Sequence, residues 1–67
     1  MHIEQFLEKK LIENGLNSKE AKKEAEFLYE EFVWLEEVDQ IPKKKAFLEI
    51  CSMGDIDPKG LEEITEF

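Results

Sequence analysis

The sequence contains no arginine; all nine of its cationic side chains are lysines. Nucleic-acid recognition draws on cations for phosphate contact and on arginine for bidentate base readout. Their scarcity argues against direct nucleic-acid binding. A single cysteine, Cys51, cannot form an internal disulfide, which points to a reducing compartment and against a stapled secreted mini-domain. Three glycines and two prolines leave no room for a low-complexity linker. No apolar run approaches the ~20 residues that a membrane-spanning helix needs. Glu4, Glu8 and Lys9 interrupt any signal-peptide pattern at the start. These absences lead us to expect one small domain, cytoplasmic and independent of membranes.

What is present is acidic and helical. The 67 residues carry a formal net charge of −8. A chain this short buries only about 60% of the surface its unfolded form exposes, so any core is thin. Yet 42% of the residues are hydrophobic, enough to favour folding over disorder. The charge is unevenly placed. Glu24, Glu26, Glu30, Glu31, Glu36, Glu37 and Asp39 follow one another with no lysine among them, and Lys43, Lys44 and Lys45 come directly after. A field of this sign repels phosphates and attracts basic protein surfaces.

Periodicity gives an all-α fold, a small domain of three to four helices with a long central second helix. Ile3, Phe6, Leu7, Leu11 and Ile12 recur at helical spacing over residues 3–14, and Asn14-Gly15 is a stop signal. Asn17 followed by Glu20 reads as a capping box for a helix over 18–38, with Leu16 and Ala21 placed as a hydrophobic staple. The Ile41-Pro42 step ends that pattern and opens a third helix over 42–52, whose apolar face is Ala46, Phe47, Ile50 and Cys51. Gly54 is the expected terminator. A short fourth helix is expected over 58–66, capped by Asp57, with Ile56 and Leu61 spaced as a second staple.

The second helix carries two apolar stripes. Ala21, Ala25, Leu28, Phe32 and Leu35 form a core-facing seam. Phe27, Trp34 and Val38 form another, about 140° round the cylinder, and Tyr29 and Val33 flank the seam. Two readings follow. Either other helices cover both stripes, or the Trp34 stripe stays exposed and meets a partner or a second copy of the chain. Glu26, Glu30 and Glu37 line one gap between the stripes, and Glu24 and Glu31 the opposite one. They are either a solvated face or a surface aimed at a cationic groove, imitating nucleic-acid phosphates.

Candidates for chemistry are few. Asp55, Asp57, Gly60 and Glu66 are spaced like parts of an EF-hand calcium loop. However, Lys59 stands where an oxygen ligand belongs and Pro58 lies inside the loop. The acidic second helix likewise makes any likeness to a helix-turn-helix reader one of topology only. His2, the lone histidine, is expected at a loose terminus, and Cys51 as a small buried hydrophobe. No catalytic residue, cofactor site or metal site is expected.

The function expected from these features is a small intracellular protein–protein interaction module, not an enzyme. It would inhibit or modulate a larger basic, nucleic-acid-binding protein, with no direct nucleic-acid or membrane contact. Glu26, Glu30 and Glu37 would steer the encounter, and Phe27, Tyr29 and Trp34 would anchor it. A self-associating homodimer and an antitoxin or immunity-type inhibitor are the alternatives. The lysine-only, Glu- and Ile-rich composition suggests an AT-rich genome, and the size suits a phage-, plasmid- or host-encoded regulator.

Overall fold

The computed structural model describes residues 1–65 and 67. Among these residues the chain forms three α-helices and one short 3-10 turn, with no strand. The helices are α1 (Ile3–Glu13), α2 (Ser18–Glu37) and α3 (Lys43–Met53). The 20 residues of α2 make a rod of about 30 Å, which nearly spans the molecule's longest dimension of 32 Å.

Each junction is fixed by local chemistry. His2 is ordered, contrary to the expectation of a loose terminus. Its Nδ1 accepts the Glu4 N–H at 3.3 Å, while the Gln5 side chain accepts the His2 N–H at 3.3 Å. The two bonds close a capping box on α1. The Met1 ammonium donates to the Glu63 carbonyl at 2.9 Å, and Thr65 N–H donates to the Met1 carbonyl at 3.1 Å, which holds this end against the last turn of the chain. At the other end of α1, Gly15 takes a φ of 108°. Leu16 N–H then reaches Leu11 O at 3.1 Å and Gly15 N–H reaches Ile12 O at 3.0 Å, the paired bonds of a Schellman motif. Asn17 caps α2 as expected: its Oδ1 accepts Glu20 N–H at 2.9 Å. The Glu20 carboxylate answers by accepting from the Asn17 side-chain amide.

Pro42 lies just outside α3, as its N-cap, so the helix starts one residue later than the sequence suggested. The end of α3 differs in an instructive way. The left-handed position falls on Asp55, with φ 55°, and Gly54 sits at φ −91°. Ile56 N–H closes onto Cys51 O at 2.8 Å. The expected helix over 58–66 is replaced by the 3-10 turn Leu61–Glu63; Glu66 lies outside the described residues. Gly60 at φ 92° breaks the helical path. Asp57 Oδ1 accepts Lys59 N–H at 3.0 Å, so this residue closes a local turn instead of capping a helix.

The core lies on one side of α2. Ala21, Ala25, Leu28 and Phe32 are buried there. They meet Ile3, Phe6, Leu7 and Leu11 from α1, and Ala46, Phe47, Ile50 and Cys51 from α3. Phe6 and Phe47 join α1 to α3 edge-to-face, with ring centroids 5.6 Å apart. Ile56 and Ile64 close the bottom.

Candidate functional site

Both neighbours of α2 pack on the same stripe, so the second stripe is left uncovered. Phe27 is 53% exposed, Trp34 57% and Val38 55%. Seven residues, two turns, separate the first pair and four the second, giving a straight ridge roughly 16 Å long on the back of the rod. A regular helix holds it, stapled along its far side to the core, so the ridge is rigid before anything meets it. Isolated exposed apolar residues are ordinary on protein surfaces; two aromatics and a valine in one line are less so.

The acidic residues keep the register that the sequence implied. Glu26, Glu30 and Glu37 are exposed on one edge of the ridge, and Glu24 and Glu31 are half-buried on the other. Among the described residues no ion pair engages any of these five. The bend between α2 and α3 does carry one: Lys43 Nζ lies 3.7 Å from Glu36 Oε1. Lys44 and Lys45 are exposed beside it.

Tyr29 does not join Phe27 and Trp34. It is half-buried and packed against the core cluster. Its ring stacks on Phe32 at 6.0 Å and lies 5.5 Å from the His2 ring. At 100° per residue it sits about 140–160° from the ridge. The structure thus separates one of the expected anchors from the other two. Conversely, Val38 belongs to the ridge as fully as they do, a membership already visible in its spacing.

Cys51 is buried, 1% exposed. Burial, reinforced by the nearby Asp57 and only partly offset by Lys10, pushes its thiol from 9.0 up to about 12. It therefore remains an uncharged thiol, a poor nucleophile, at neutral pH. Among the described residues no pocket forms, and no cluster of three or more potential metal ligands converges. No helix there is long and apolar enough to cross a membrane. Comparison with known protein families, curated proteins and solved structures finds no match to this chain.

Proposed function

We propose that the protein is a non-enzymatic interaction module. It acts in the cytoplasm, binding a larger basic protein and blocking or modulating it by occupying the groove that holds that partner's nucleic acid. One observation carries this reading: a line of large apolar side chains more than half exposed on a rigid helix, directly behind the core. Buried aromatic anchors dominate binding energy in protein interfaces, and here they are already presented at little ordering cost. The charge supports the sign of the partner. Glu26, Glu30 and Glu37 project a negative field beside the ridge, and such fields mainly accelerate encounter with a basic surface.

The test is affinity capture from native cells with the wild-type chain and with a Phe27→Ser/Trp34→Ser variant. The wild type should retain a basic protein that the variant releases. Retention of nucleic acid alone would overturn the reading. With the captured partner in hand, replacing Glu26, Glu30 and Glu37 by Gln should slow association and flatten its salt dependence; an unchanged on-rate removes the steering role. An antitoxin or immunity-type inhibitor would use the same face, with a toxin as the basic partner. The rival reading is a homodimer paired through the ridge, which light scattering at several concentrations separates from a heterologous module.

A further inference from the structure

The carboxylates beside the ridge form two rows. Glu26, Glu30 and Glu37 follow one edge, and Glu24 and Glu31 follow the other. We propose that the two rows together select what covers the ridge: they exclude a second copy of this chain and admit a partner whose apolar groove carries cations on both walls. The inference rests on reading the ridge as a docking surface and adds a second binding edge, Glu24 and Glu31, to it.

Two arguments lead there. The first is area. Two half-exposed aromatic side chains and a valine offer on the order of 300 Å² of apolar surface, whereas a stable interface covers about 800 Å² on each partner. The rest of any interface must come from the flanks, so what the flanks face decides the occupant. The second is charge. In a parallel pairing of two α2 helices the Glu26, Glu30 and Glu37 row of each copy faces the Glu24 and Glu31 row of the other. In an antiparallel pairing centred between Phe27 and Trp34, Glu30 and Glu31 meet the same two residues of the other copy. Lys23 would lie near Glu37, relieving only the ends. Each chain also brings a net charge of −8. Like charges brought face to face in a drying interface disfavour association, whereas cations on both walls convert the same rows into complementary rims. A flat basic patch would satisfy one row at a time; a groove that takes the helix lengthwise satisfies both.

The chain has a single tryptophan, Trp34, so its emission reports the ridge directly. The probe is a synthetic amphipathic helical peptide without tryptophan, carrying a leucine stripe walled on both sides by lysine; its counterpart carries glutamate in place of lysine. The lysine-walled peptide should shift Trp34 emission to the blue, with an affinity that weakens roughly tenfold between about 50 mM and about 500 mM salt. The glutamate-walled peptide should give no shift. A Glu24→Gln/Glu31→Gln variant should lose several-fold in affinity, comparable with Glu26→Gln/Glu30→Gln, while its circular dichroism is unchanged. The inference is overturned by no emission shift with the lysine-walled peptide, by equal shifts with both peptides, or by wild-type affinity in the Glu24/Glu31 variant. A wild-type dimer in sedimentation equilibrium also overturns it. A native partner captured through Trp34 but indifferent to Glu24 and Glu31 would sink the two-row inference alone and leave the docking reading standing.

Discussion

At the scale of single residues, Gly54 and Asp55 show how one helix end divides two tasks. The turn needs a left-handed residue, and Asp55 supplies it at φ 55°. Gly54 is there for space: a Cβ at that position would stand 2.8 Å from Leu28 Cδ1 and 3.2 Å from Ile56 Cδ1. Leu28 is fully buried and has little freedom to withdraw. Gly54→Ala should therefore cost about 1–3 kcal/mol by overpacking. Asp55→Gly should add up to about 1 kcal/mol, because it removes the penalty of a left-handed L-residue. Its carbonyl, which accepts the Asn14 side-chain amide at 3.2 Å, is retained in that variant. Urea midpoints of the two variants check both signs; opposite signs are required. Cys51 gives a pH signature. Its folded thiol holds the proton to about 12, whereas a free thiol releases it near 9.0. Between those values unfolding releases a proton, so the stability this group supplies is intact below 9.0 and falls as pH rises. Wild type should lose up to about 1.4 kcal/mol per pH unit more than Cys51→Ala in that window, measured by urea unfolding at several pH values. Parallel pH profiles would show that the thiol is wetter than its burial implies.

At the scale of elements, the bend after α2 joins two ends that each oppose their own helix dipole. Acidic Glu36 and Glu37 crowd the C-terminus of α2, and Lys43, Lys44 and Lys45 crowd the N-terminus of α3. The bend brings these mismatches together, and Lys43 meets Glu36 across it. A charge swap, Glu36→Lys with Lys43→Glu, keeps the pair while placing each charge where its helix favours it. It should stabilise the fold by about 0.5–2 kcal/mol at low salt, and the gain should shrink as salt screens it. Thermal unfolding at two ionic strengths checks this, and destabilisation would show that the pair's geometry outweighs the dipoles. The helices themselves were legible because their signals are local: Asn14-Gly15 and Asn17-x-x-Glu20 act within one turn, and the structure keeps both. The last segment was not. Asp57 and Pro58 carry the same marks as a helix start, but Gly60 adopts the left-handed conformation and only a 3-10 turn survives. The capping role of His2 was not legible because histidine is an unusual cap, and that role depends on Gln5 answering from the first turn of α1.

At the scale of the whole molecule, the governing fact is a core built on one side of its longest helix. The two stripes of α2 were plain in the spacing; which one would be covered was not. That choice depends on where α3 returns after the bend, and Phe47 returns it to Phe6, on the side α1 already occupies. The spacing along α2 already set Tyr29 beside the seam, away from the ridge; what it did not reveal is that the His2 ring, brought by the start of α1, lies against it. One-sidedness separates docking from stability. Trp34 and Phe32 are two residues apart on the same helix, yet Trp34 is 57% exposed and Phe32 3%. Trp34→Gln should change unfolding free energy by no more than about 0.5 kcal/mol, whereas Phe32→Ala should cost about 3 kcal/mol or more, a large part of what so small a domain holds. The wild type adds a check without mutation. Because the indole already meets water, Trp34 emission in the native protein should lie near that of the urea-unfolded chain, while circular dichroism at the same concentrations shows the full helical transition. A native emission well to the blue of the unfolded one, at concentrations where the protein is monomeric, would mean that the chain folds back over its own ridge; the exposed line from Phe27 to Val38 would then be part of the core and not a docking surface.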